Sequence, residues 1–257
     1  MSKKVLMLHG YAQSDSIFYG KTGGFRKNLS KLGYELYYPC APAKVPGVDI
    51  SNEDDFASVY NTTAGTSDIY GWWLKHPDDQ YKVPQETADY LRDYIIENGP
   101  FHGIVGFSQG AGYGGYLCTD IRGLLNLSLD EQPDLEFFIS FSGFRLQPEW
   151  FQEQYDKHEI TVPSLHVQGE LDTVVEEQRV LSLYNSCSND TKTMLKHPGG
   201  HFVPNSKSFV NKVINWLQVV AKPETEQIKD GPSQPKSFNE PQLDDDLLSV
   251  IDGMGKI

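Results

Sequence analysis

The 257-residue chain predicts an α/β fold: a mostly parallel sheet with helices on both faces. Two observations carry this. Short apolar runs without polar alternation recur along the chain, as strands covered on both faces require. Between them the apolar residues shift to a spacing of three and four, as helices with one buried stripe require. A third observation, chain length, allows one substantial core, so a single domain over residues 1–221 is expected.

The first strand is predicted at residues 4–9, KVLMLH. Comparable runs at 34–38, 101–107, 135–141, 164–167 and 193–196 each close on Gly, Pro or Ser. Helical spacing links Phe18, Phe25, Leu29 and Leu32, then Ala88, Leu91, Tyr94 and Ile95, then Val180, Leu183 and Tyr184, and finally Phe209, Val213, Ile214 and Leu217. Alternating strands and helices imply right-handed crossovers in a parallel sheet. Residues 44–84 break the rhythm with a connection far longer than usual, which marks a candidate partial lid. Within it, Trp72 and Trp73, with Tyr70 and Tyr81, either line an apolar acyl pocket or seal the loop onto the core.

Charge narrows the function classes. A formal charge of −13 opposes binding to phosphate backbones or anionic membrane surfaces, so no nucleic acid and no membrane is expected as partner. Much of the acidity lies in residues 222–257, where four prolines and the triplet Asp244–Asp246 predict a disordered tail whose partner, if any, is unknown. The opening MSKKVLMLHG has too short an apolar run for a signal peptide, and no run reaches the ~18 apolar residues of a membrane span. The three cysteines, Cys40, Cys118 and Cys187, suggest neither a disulfide framework nor a metal site. A cytoplasmic protein without metal or cofactor is expected.

The chemistry centres on "FHGIVGFSQGAGYGGYLCTDI", residues 101–121. An apolar strand feeds Gly106-Phe107-Ser108-Gln109-Gly110, a G-x-S-x-G match, and a segment capable of helix leaves it; a nucleophile on a strand-to-helix bend needs this context. Gly112, Gly114 and Gly115 each cost a helix about 1 kcal/mol relative to Ala, so close approach to the sheet is expected to offset them. A serine nucleophile needs a base oriented by a carboxylate, in the chain order Ser, acid, His. "VPSLHVQGELDTVV" supplies Asp172 after a strand, with Glu170 as rival; Asp172 also sits where it would cap the next helix. "LKHPGGHFVPNS" supplies His201 after a Pro-Gly-Gly turn, with His197 as competitor; His166 reads as core, and His76, His102 and His158 lack comparable context. An oxyanion hole would come from the backbone N–H groups of Gln109 and of Tyr11, the latter in the loop after His9-Gly10. These elements, in this order, predict a minimal α/β-hydrolase, without the extra leading strands or cap domain of larger ones.

VLMLHGYAQS, GWW, GPFHGIVGFSQGAG, FFISFSGF, HVQGELDTVV and HPGGHFVPNS together resemble the fungal family of serine hydrolases, itself similar to the human ovarian-cancer-associated hydrolase and to fungal thioesterases that release polyketides. The resemblance spans about residues 4–220 and implies Ser108, Asp172 and His201 as triad, with Tyr11 and Gln109 as oxyanion donors. It also implies hydrolysis of carboxylic esters or thioesters through an acyl-enzyme. The insertion's aromatics, and the lack of a basic cluster to anchor a phosphorylated substrate, favour simple esters of small to medium apolar acyl groups. The alternative is a catalytically idle hydrolase fold serving as a ligand- or partner-binding module.

Overall fold

The computed structural model describes residues 2–46, 68–75 and 80–221. Its first apolar run forms β1 (Lys3–Leu8), in which Val5, Leu6, Met7 and Leu8 are fully buried. They are buried because β1 lies inside the sheet, between β2 (Tyr34–Tyr37) and β5 (Gly103–Phe107). β6 (Phe137–Phe141), β7 (Ser164–Gly169) and β8 (Lys192–His197) then add in chain order, giving β2-β1-β5-β6-β7-β8. Every neighbouring pair is parallel. The six predicted runs are these six strands.

From β1 the chain winds one way to β2 and returns on the other side to β5. The carboxyl ends of β1 and β5 therefore flank the point where strand order reverses, the place where open parallel sheets bind ligands. Alternation within strands divides the core in two. Val5 and Met7 face Phe18 of α1 (Asp15–Lys21), Phe25 and Leu29 of α2 (Gly23–Lys31) and Phe209 and Val213 of α8 (Lys207–Val220). Leu6 and Leu8 face the other layer: Leu91 of α3 (Gln85–Asn98), Tyr113 of α4 (Gln109–Leu117), Ile121 of α5 (Ile121–Leu125), Phe151 of α6 (Glu149–Lys157) and Leu183 of α7 (Glu177–Tyr184).

Two features depart from the helical spacing read above. The apolar stripe from Phe18 to Leu32 is two helices, not one, because the chain breaks at Thr22, whose hydroxyl bonds the Phe18 carbonyl at 2.8 Å and the Tyr38 hydroxyl at 2.8 Å. α6 was not anticipated, although Phe151 and Tyr155 are spaced i,i+4 and Pro148 precedes its first turn.

From the 44–84 insertion, β3 (Ala43–Lys44) and β4 (Tyr70–Gly71) pair antiparallel, and Gln13 bridges to Tyr70. The expected lid falls largely on residues 47–67 and 76–79, and the expected tail on 222–257, all outside the described residues. Among the described residues no helix is long and apolar enough to cross a membrane.

Candidate active site

Ser108 follows β5 directly, at φ 51° and ψ −117°, a left-handed conformation that costs a non-glycine residue about 1–3 kcal/mol. Small neighbours make the bend possible. A Cβ on Gly106 would meet the Ala111 backbone, and one on Gly110 would collide with the carbonyls of Leu8 and His9. α4 thus starts pressed against the end of β1. Further along, Gly114 touches Ile104 and Phe138 of the sheet, whereas Gly115 approaches Leu183 of α7 and Gly112 the Phe144 loop. The glycines are offset by close packing, against the sheet for one and against other elements for two.

Asp172 lies in the turn after β7 and His201 in the turn after β8, both at the same sheet edge as Ser108. His201 Nδ1–H donates to Asp172 Oδ2 at 2.8 Å, and the Ser108 hydroxyl meets His201 Nε2 at 3.0 Å. Both side chains of the acid–base pair are shut from solvent, at 0 % exposure for Asp172 and 7 % for His201. The other oxygen of Asp172 accepts the N–H groups of Val174 at 3.0 Å and Val175 at 2.9 Å, so one carboxylate both orders its own turn and holds the imidazole. Burial pushes the Asp172 pKa up. The hydrogen bond and charge of His201, with the Val175 N–H and Ser142 hydroxyl, outweigh that and hold it below the usual carboxylate value.

The competitors lie elsewhere. Glu170 is exposed. His197 is buried between Phe202 and Phe209, with Nδ1 accepting the Gly199 N–H at 3.2 Å, and burial lowers its pKa. His166 is core, bonded to Ser164 and Cys187.

Tyr11 sits in the loop after β1, beside Ala12, which also has positive φ (56°). The Gln109 N–H, first in α4, has no acceptor among the described residues. His9 and Gln13, to which the sequence assigned no role, brace this loop. His9 Nδ1–H donates to the Gly10 carbonyl at 2.7 Å and its Nε2 accepts the Ala41 N–H at 3.0 Å; Gln13 Oε1 accepts the Gly10 N–H at 3.1 Å. Full burial lowers the His9 pKa to about 4, so the ring is neutral, as both bonds need. Gln109 contributes its side chain too: Oε1 accepts the Trp72 N–H at 2.8 Å and Nε2 donates to the Trp73 carbonyl at 2.8 Å. These bracing residues carry a faint sequence signal, polar side chains within four positions of a glycine turn.

Ser108, Gln109 and Tyr11 open on a cleft of about 80 Å³. Trp73, Tyr81, Phe144, Val174 and Val175 form its apolar wall, and Trp73 stacks on Tyr81 with ring centroids 4.8 Å apart. Trp72 does not line it. That ring is fully buried beside His9 and Tyr113, its Nε1 donating to the His9 carbonyl at 2.9 Å, because tethering the loop after β1 points it inward. Lys75 and Arg179 also line the cleft, two cations that sequence distance concealed.

A parallel sheet carrying a strained serine after its central strand, with a histidine and an acid arriving from the last two strand ends, defines an α/β-hydrolase. Solved structures agree on the fold: the crystal structure of esterase PE8 superposes with a TM-score of 0.57 at 18% identity, over 86% of this chain and 93% of that one. The chain belongs to the serine hydrolase (FSH1) family, whose model matches residues 1–213. It is 51% identical to "Family of serine hydrolases 3" of Saccharomyces cerevisiae over 99% of this chain and 98% of that protein. It is also 34% identical to "Esterase OVCA2" of Danio rerio, over 80% and 92% respectively. The resemblance to the fungal serine hydrolases is thereby established.

Proposed function

We propose that the chain hydrolyses carboxylic esters of short apolar acyl groups, and thioesters of the same acyls, through a Ser108–His201–Asp172 triad. The observation that carries this is the continuous hydrogen-bond line from Ser108 Oγ through the two nitrogens of His201 to buried Asp172. Ser108 Oγ attacks the acyl carbonyl while its proton passes to His201 Nε2. Asp172 stabilises the imidazolium without taking the proton, and the Tyr11 and Gln109 N–H groups receive the carbonyl oxygen as it gains charge. His201 then protonates the leaving alcohol or thiol. Water, deprotonated by the same ring, frees the acid from Ser108. The apolar wall and volume of the cleft support a short acyl chain.

A fluorophosphonate probe is expected to label wild-type protein and not Ser108→Ala. His201→Ala is expected to lower ester turnover by at least about 1,000-fold with the fold retained. Labelling that survives loss of Ser108 would remove it from the mechanism. No labelling of the wild type would favour the idle binding module. Rates on 4-nitrophenyl esters should fall beyond a short acyl length, and rates rising steadily with length would contradict the cleft assignment.

A further inference from the structure

The lining of the cleft carries a charge that an apolar-ester reading does not use. In a chain of net charge −13, the cleft is lined by two cations, Lys75 and Arg179, and among the described residues by no carboxylate. Arg179 is the more informative. It sits in the first turn of α7, half-buried, its guanidinium carbon 4.3 Å from the centre of the Phe144 ring, which belongs to the same wall. A guanidinium held over an aromatic ring keeps N–H groups for an acceptor.

Among the described residues no acceptor is supplied to that guanidinium. Among the described residues Arg179 forms no ion pair; the neighbouring Glu177 is taken by Lys196 at 2.6 Å, and Glu176 contributes only its carbonyl, to the Arg179 backbone N–H. An arginine held by an aromatic ring in a cleft it shares with a nucleophilic serine is arranged to take a carboxylate on its fork. We propose that Arg179 is a substrate-binding residue, and that the preferred acyl group is a short chain ending in a carboxylate, so that the natural substrate is a monoester or monothioester of a dicarboxylic acid. This rests on Ser108 acting as nucleophile. It modifies the apolar acyl class proposed above: methylenes against Trp73 and Phe144, and an anionic end at Arg179.

The test compares two alkyl esters of equal acyl length, ethyl butyrate and monoethyl succinate, by titrating released acid for wild type and Arg179→Gln. The wild type is expected to favour monoethyl succinate in kcat/KM, and the variant to lose about 10- to 100-fold of the succinate-to-butyrate ratio, the effect of removing one charge-assisted pairing. A wild-type preference for butyrate would overturn the proposal. So would a ratio unchanged by the substitution, which is what a purely structural arginine would give. A preference that appears only when the charge is on the leaving group, as for acetyl-coenzyme A over its phosphate-free pantetheine thioester, would also overturn it. Fluorophosphonate labelling run beside these assays separates the two claims: labelled Ser108 with no succinate preference refutes only the Arg179 assignment, whereas unlabelled wild type refutes the nucleophile itself.

Discussion

Ser108, Ala12 and Ser142 are three of the non-glycine residues held at positive φ, and all three stand beside the carboxyl edge of the sheet where the reactive groups meet. Strain is concentrated where side chains must project from a backbone that packing fixes on both sides. Asp172→Asn tests the next link. The amide oxygen can still accept the Val174 and Val175 N–H groups, but the charge that favours the imidazolium is gone, and an amide N–H toward Nδ1 selects the wrong ring tautomer. Turnover near neutral pH is expected to fall about 1,000- to 10,000-fold in kcat, with thermal unfolding little changed. The meeting of Ser108, Asp172 and His201 was legible because each follows an apolar run at a turn of distinctive composition. Trp72 was not, because an aromatic beside another aromatic gives no sign of which ring turns inward. That depends on a hydrogen bond from its indole to His9, far away in the chain. Arg179 was hidden for the same reason: only folding brings it to Phe144.

Helix α4 shows how one element sets the site. Its first turn can approach β1 only because Gly110 lacks a Cβ, and the carbonyls it would strike are backbone and cannot swing aside. Gly115 instead faces the side chain of Leu183, whose methyl groups can move. Gly110→Ala is therefore expected to destabilise by several kcal/mol or to prevent folding, and Gly115→Ala by no more than about 1–2 kcal/mol, with urea midpoints as the measure. All six strands were legible because each lies on a short apolar run that closes on Gly, Pro or Ser. Helix boundaries were less so. The break at Thr22 depends on a hydroxyl reaching Tyr38, and α6 presents only Phe151 and Tyr155 to the core, a stripe too narrow to stand out from polar neighbours.

Across the whole molecule, buried neutral imidazoles couple stability to pH. Burial lowers His9 to about 4 and His166 to about 3 from an ordinary value of 6.5. The unfolded chain binds these protons first as pH falls, so stability is full above about pH 7 and declines below about pH 6.5. By pH 5 each ring is expected to cost about 2 kcal/mol. Asp172, depressed rather than raised, adds to the loss only further into acid, below the ordinary carboxylate range. Urea unfolding at pH 7.5 and pH 5 reads the difference, and His166→Asn should flatten it. The parallel architecture was legible from alternation alone, whereas the winding order was not, since nothing in the composition of β1 tells which partner lies on its far side. That order matters during synthesis. β1 is flanked on one side by β2, which follows it closely in the chain, and on the other by β5, which starts only at Gly103, so its second edge is covered long after its first. Until then β1 keeps one edge open along its apolar residues Val5 to Leu8, and an open apolar edge is prone to pair with another chain.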